Sequence, residues 1–345
     1  MKALISGITG QDGSYLSELL VAKGYEVHGL VRRTSLTDVS RLRHLERLMQ
    51  GQKVTLHTAD LSENEAIRRI FEEVAPDEFY HLAGQSHVGL SFKIPGSTLT
   101  EVAGSTLTLL EICRDLPNPP RFYHAGSSEI FGNPLDFPQN EDSAFRPASP
   151  YGCAKAFAVN LCCVYREAYG LFVSSGIAYN HESIRRTSNF VTKKVATSVA
   201  CIAAGEEHVL ELGNLNTRRD WGYAPEFVEG IWRILRHREA GEFVLATGIL
   251  TSLRDFVSGA FAAAGIPVEF RGSGTEEVGV DTRSGALLLR VNPAFFRPVD
   301  PCNLVGDASK AERELGWRPT VTGIDLAAKL VLDEIAARHL QPMIA

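Results

Sequence analysis

Tyr151 and Lys155 frame the string Tyr151-Gly152-Cys153-Ala154-Lys155. Four residues apart on a helix, two side chains share one face, so the ammonium can lie beside the phenol. A tyrosine that titrates near 10 is a weak base at neutral pH, and a neighbouring cation favours its phenolate. Upstream, Ala125-Gly126-Ser127-Ser128-Glu129 follows the apolar run Arg121–His124. A Ser127 hydroxyl, Tyr151 and Lys155 gathered around a nicotinamide would take a proton from a hydroxyl while hydride leaves the same carbon, which is alcohol oxidation. Glu129 supplies a second acid/base, needed not for that step but for eliminating water beside the new ketone. The plainer alternatives are a chance Y-x-x-x-K and a Glu129 that only caps a helix or faces solvent.

A second group of residues suits a dinucleotide. Gly7-Ile8-Thr9-Gly10-Gln11-Asp12-Gly13 follows the first apolar run and precedes a helical pattern. Glycines let backbone approach a pyrophosphate, and the helix N-terminus offers free N–H groups. The spacing is GxxGxxG, and its strand–turn–helix setting adds to its weight. The second run ends Val31-Arg32-Arg33-Thr34-Ser35, with guanidiniums and hydroxyls where an NAD site usually carries a carboxylate. Donors of that kind hold a 2′-phosphate, so Arg32, Arg33 and Ser35 point to NADP; a solvated surface pair is the alternative. Asp60-Leu61 and His81-Leu82-Ala83-Gly84-Gln85-Ser86 fall where the adenine and the nicotinamide ribose should lie. His87 and His124 read as packed or hydrogen-bonded residues, and the scattered histidines lack metal-ligand spacing, so no metal site is expected.

Short apolar runs alternating with longer helical patterns must position these residues: Ala3–Ser6, Ser14–Lys23, Glu26–Val31, Arg41–Met49, Val54–Thr58, Glu63–Val74, Glu78–Leu82, Thr98–Arg114, Arg121–Ala125, Tyr151–Tyr169 and Val173–Ala178. The alternation predicts an α/β fold, a doubly wound parallel Rossmann sheet. Beyond residue 179 the beat weakens, predicting a smaller C-terminal lobe over the sheet's carboxyl edge, with helices at Phe256–Ala264 and Ile324–Ala337 and an exposed loop at Arg271–Asp281. The 345 residues, 44% hydrophobic and 22% charged, suffice for such a core, and a net charge of −6 argues against nucleic-acid binding. No run of about 18 apolar residues implies a membrane span. Six cysteines without a C-x-x-C pair, and a first apolar run too short for a secretion signal, point to the cytoplasm.

Together these residues resemble the extended short-chain dehydrogenase/reductase family, in its NAD-dependent epimerase/dehydratase group. Gly7–Ser35, Ser127-Ser128-Glu129, Tyr179–Ser183, Phe190–Lys194, Arg219-Asp220-Trp221-Gly222, Val291–Pro298 and Leu315-Gly316-Trp317 are similar to the GDP-mannose 4,6-dehydratases. The resemblance implies a GDP-sugar substrate, a recycled NADP and a homodimer or homotetramer whose subunits meet near Arg32–Arg43. It implies that Tyr151 takes the O4 proton, Ser127 bonds O4, Lys155 tunes Tyr151, and Glu129 serves C5 and C6. The implied cofactor contacts are Gly7, Thr9, Gly10, Gln11, Asp12, Gly13, Arg33, Asp60, Leu61, Leu82, Ala83, Gly84, Gln85, Ser86, Lys155, His181 and Arg186. Those to the nucleotide sugar are Ser86, Ser128, Asn180, Val191, Lys194, Arg219 and Arg297. Residues 1–178, with 221–262 returning to them, would bind the dinucleotide; 179–220 and 263–345 would bind the nucleotide sugar. Relatives carry threonine at Ser127, serine at Gly126, tyrosine at Phe131 and Ser97, and Pro-Arg-Arg-Gly at Ile184–Thr187. A GDP-sugar dehydratase acting on another sugar such as a manno-heptose, an epimerase or 4-ketoreductase on the same scaffold, and a non-catalytic NADP sensor are the competing readings.

Overall fold

The computed structural model describes residues 1–33, 42–296 and 304–339. Its strands are β1 (Lys2–Ser6), β2 (Glu26–Val31), β3 (Val54–Thr58), β4 (Glu78–His81), β5 (Arg121–Ser127), β6 (Val173–Ala178), β7 (Asn180–Glu182), β8 (Leu210–Leu212), β9 (Arg218–Tyr223), β10 (Glu242–Leu245), β11 (Leu250–Ser252), β12 (Val268–Arg271), β13 (Val278–Asp281) and β14 (Leu287–Val291). The longer helices are α1 (Gln11–Ala22), α2 (Asn64–Val74), α3 (Ser105–Asp115), α4 (Pro150–Tyr169), α5 (Val191–Ala203), α6 (Ala224–Arg236), α7 (Leu253–Ala263) and α8 (Gly323–His339).

Seven strands form one sheet in the order β10-β6-β5-β4-β1-β2-β3, all parallel. The expected doubly wound sheet is therefore present, and its strand order reverses between β1 and β4, where such sheets bind ligands. Alternation along the strands feeds two cores. Ala3, Ile5, Tyr80 and Tyr123 pack with Leu16 and Leu20 of α1 and Phe227 and Ile231 of α6. Leu4, Phe79 and Phe122, one residue out of phase, pack with α2 and α3 through Ile67, Phe71, Leu109 and Leu110. In α2 the buried positions Ile67, Ile70, Phe71 and Val74 follow helical spacing.

A second cluster lies in the lobe. There α5, α7 and α8 pack against β8 and β14 through Val195, Val199, Phe256, Phe261, Leu289, Leu326 and Leu330. β11, β9 and β7 form a three-stranded sheet, and β12, β13, β14 and β8 a four-stranded one.

Three expectations change. Residues 224–245 do return to the main sheet as α6 and β10, but α7, expected with them, buries Phe256, Val257, Ala260 and Phe261 in the lobe. The exposed loop expected over Arg271–Asp281 is present at residues 272–277 but shorter than expected, because β12 and β13 pair antiparallel on either side of it and bury Val280. The single helix expected over Thr98–Arg114 is interrupted by a π-helical turn, Thr100–Gly104. Hydroxyls compete for its carbonyls: Thr98 donates to Ile94, Ser105 to Glu101 and Thr106 to Val102.

Candidate active site

Parallel strands end at one edge, so the residues that follow them meet there. After β1, Gly7 takes φ +77°, and a Cβ on it would stand 2.8 Å from the Ala83 nitrogen. A Cβ on Gly13 would stand 2.3 Å from the Gly7 oxygen. Only glycine lets this loop and helix close on each other. Thr9 lies in the turn, and Gly10 heads α1 with no side chain capping its first N–H groups. A Cβ-free cradle ahead of an uncapped helix N-terminus fits a pyrophosphate.

The flanking strands add the rest. Arg32 and Arg33 are exposed after β2, while Ser35 lies outside the described residues. Asp60 follows β3 and accepts from the Ser62 N–H and hydroxyl, which hold its carboxyl below the usual range. After β4 come Leu82, Ala83, Gly84, Gln85 and Ser86; Ala83 donates to Ser6, and Gln85 donates to Thr98.

The second group gathers between β5 and α4. Ser149 accepts from the Gly152 N–H at 3.0 Å, Pro150 occupies the first turn, and Gly170 ends the helix at φ +67°. This fixes Tyr151 and Lys155 on the face turned toward β5, both buried. Ser127 ends β5, accepts from the Glu129 N–H at 3.3 Å and is hydrogen-bonded to Tyr151. Ser128 and Glu129 form a buried 3-10 turn.

Burial sets the proton affinities here. It pushes the Tyr151 phenol up to about 12; the Ser127 hydrogen bond lowers it and the Glu129 charge raises it again. Lys155 donates to the Ala125 carbonyl at 2.6 Å, with its nitrogen 5.8 Å from the Tyr151 ring centroid. Desolvation lowers its ammonium to about 8. Behind it, burial and the Lys155 charge hold His81 down at about 3 and push His124 well below its ordinary value. His81 bonds Ser6 at 2.8 Å, and both nitrogens of His124 lack a hydrogen-bond partner among the described residues. His87 accepts from the Leu90 N–H and so caps a short helix.

A third group follows β6. His181 meets Asp12 at 3.0 Å, Asn180 opens β7, and Arg186 pairs with Glu182 at 3.2 Å. Val191 starts α5, and Lys194 in its first turn rests 3.7 Å from the Phe295 ring centroid. Arg219 is buried and donates to the neighbouring Arg218 carbonyl; Arg297 lies outside the described residues. Sequence reasoning passed over Asp220, whose buried carboxylate accepts from the N–H groups of Thr247, Gly248 and Gly306 and so ties the lobe's segments to the sheet edge. Its only signal was its place in Arg219-Asp220-Trp221-Gly222.

Residues 4–330 match the family model described as GDP-mannose 4,6 dehydratase. The chain belongs to the GDP-mannose 4,6-dehydratase family. It is 44% identical to the GDP-mannose 4,6-dehydratase of Sinorhizobium fredii, covering 97% of this chain and 96% of that protein. To the GDP-mannose 4,6 dehydratase of Drosophila melanogaster it is 42% identical, covering 99% and 88%. Among solved structures, the UDP-glucose 4-epimerase of Thermus thermophilus in complex with NAD superposes with a TM-score of 0.77 at 25% identity, covering 97% of this chain and 99% of that one. Family membership makes this protein an enzyme of the nucleotide-sugar dehydratase type.

The departures from the family pattern have visible settings. A Cβ on Gly126 would stand 2.9 Å from the Gly176 oxygen, so glycine is the close fit between β5 and β6. Phe131 is fully buried and stacks on Tyr179. Ser97 donates to Glu101, and the Ile184 carbonyl accepts from Lys193.

Lys155 yields a stability test. Its folded value of about 8 lies below the ordinary 10.5, so the unfolded chain binds more protons between them, and stability rises with pH across that window. Below pH 8 the buried ammonium costs about 1–3 kcal/mol. Lys155→Met is expected to melt higher than the wild type at pH 7, with the gap closing toward pH 10. Calorimetric scans at the two pH values check it.

Proposed function

We propose that this protein converts GDP-mannose to GDP-4-keto-6-deoxymannose, using NADP held at the Gly7–Gly13 cradle. The observation that carries the reading is the burial of Glu129 beside the Ser127–Tyr151 pair, two acid/base groups at one sheet edge. Substrate identity rests on the names of the relatives. When bound, the nicotinamide supplies the acceptor for hydride from C4 and the donor that returns it to C6. Tyr151 takes the O4 proton while Ser127 bonds that oxygen, and the C4 alcohol becomes a ketone. Burial keeps the phenol protonated at rest, so it gives up that proton before it takes the one on O4, and the Lys155 ammonium one helical turn away favours the resulting phenolate. The ketone acidifies C5–H. Glu129 removes that proton and passes one to the C6 hydroxyl, which leaves as water. C5 takes up a proton from solvent, balanced by release of the O4 proton that Tyr151 took, and with the hydride returned to C6 no net redox change would remain.

The Arg32 and Arg33 guanidiniums, which follow β2 where an NAD site usually carries a carboxylate, support NADP over NAD. Asn180, Lys194, Arg219 and Arg297 would take the GDP-sugar, the guanidiniums serving its diphosphate. We assign 1–178 together with 224–245 to the dinucleotide and the lobe to the nucleotide sugar. Among the described residues Cys113, Cys153, Cys162, Cys163 and Cys201 are free thiols, which supports a cytoplasmic setting, and no helix is long and apolar enough to cross a membrane. Phe157 and Val164 on α4 and Leu107 on α3 leave an apolar stripe in solvent, which supports a homo-oligomer assembled through these helices.

Three outcomes test the reading. Mass spectrometry of wild-type reactions with GDP-mannose should show a product lighter by one water, whereas Glu129→Gln should lose about 10²–10⁴-fold of that activity and keep its NADP. Arg33→Ala should weaken NADP on the order of tenfold while leaving NAD little changed, as read by fluorescence titration. Light scattering should give a multiple of the chain mass for the wild type and a shift toward monomer for Phe157→Glu.

A further inference from the structure

Gln11 and Asp12 sit in the dinucleotide loop, yet their side chains face away from it, toward the corner between β6 and β7. The Asp12 carboxylate receives the His181 Nε2 proton at 3.0 Å, and the other ring nitrogen donates to the Tyr179 carbonyl at 2.7 Å. Gln11 Nε2 donates to the His181 carbonyl at 3.0 Å, and Ser183 donates to the Gln11 oxygen at 2.8 Å. The His181 ring also stacks on Phe227, centroids 4.8 Å apart and nearly parallel. The backbone on both sides of Asn180 is thereby pinned to the first turn of α1.

Charge agrees with geometry. Burial opposes ionisation of both partners, but the His181 charge and hydrogen bond, with Arg186 and Gln11, together outweigh it at Asp12 and hold that carboxyl at about 2, and Asp12 in turn raises His181. Arg186 lies close to the pair and is itself neutralised by Glu182; the Tyr151 and Tyr123 phenols also feel Asp12. A bond between an anion and a protonated imidazole is stronger and more directional than a neutral one.

We infer that Asp12 is a positioning residue that acts through His181 to hold Asn180 in the nucleotide-sugar cleft, tying the loop that cradles the dinucleotide to the site where the second nucleotide binds. This rests on the assignment of Asn180 to the GDP-sugar. Gln11 is the second strand of the same clasp.

A double-mutant cycle on the NADP-loaded protein tests it, with GDP as the probe in titration calorimetry and bound NADP measured by absorbance. Asp12→Asn is near-isosteric and is expected to weaken GDP about tenfold when the protein is kept saturated with NADP. Asn180→Ala weakens GDP as well, and the double variant should bind no worse than Asn180→Ala alone. Should Asp12→Asn fail to fold, Gln11→Met is read in the same cycle with the same expectation. Unchanged GDP affinity in NADP-saturated Asp12→Asn, or effects of the two substitutions that multiply, would overturn the inference. A wild type that retains NADP but does not bind GDP would instead overturn the substrate assignment beneath it.

Discussion

The first turn of α4 lies so close to the turn after β5 that a Cβ on Gly152 would stand 2.5 Å from the Glu129 carbonyl oxygen. Most of the site depends on that approach. It places Tyr151, the neighbour of Gly152 in sequence, against Ser127, and it holds Glu129 in a buried turn rather than at the surface. Ser149 keeps the helix start in register by accepting the Gly152 N–H. A larger residue at 152 would push the helix away and separate the phenol from the carboxylate, even though it touches neither reacting group.

Burial has opposite effects on the two halves of the cluster. Tyr151 and Lys155 are both moved toward their neutral forms, the phenol held protonated and the ammonium brought down to about 8. Asp12 and His181 move toward their charged forms because each supplies the other's partner. The molecule therefore keeps a fixed ion pair where backbone must be held still, and adaptable neutral groups where protons must move.

Much of the fold was legible in the sequence. The seven-stranded parallel sheet followed from apolar runs such as Ala3–Ser6 and Val173–Ala178, and the cradle from three glycines at the first strand's end. Gly13 shows why: its identity answers a backbone contact between neighbours in sequence, so the string alone carries it. Less legible were features decided by distant contacts. The fate of α7 depended on which of two apolar cores received Phe256 and Phe261, and the β12–β13 hairpin hid behind the Gly-rich, acidic residues 272–277. The turning of Asp12 toward His181, 169 residues away, left no local trace.

The central claim is that two side chains held at one sheet edge divide the work on a single sugar, Tyr151 at O4 and Glu129 at C5 and C6, with the hydride kept within the molecule. The most direct measurement is the reaction of GDP-mannose in deuterium oxide, with the product's deuterium located by NMR. The account predicts one solvent deuterium at C5 and none at C6. A 4-keto-6-deoxy product with solvent deuterium at C6, or with none at C5, would contradict it.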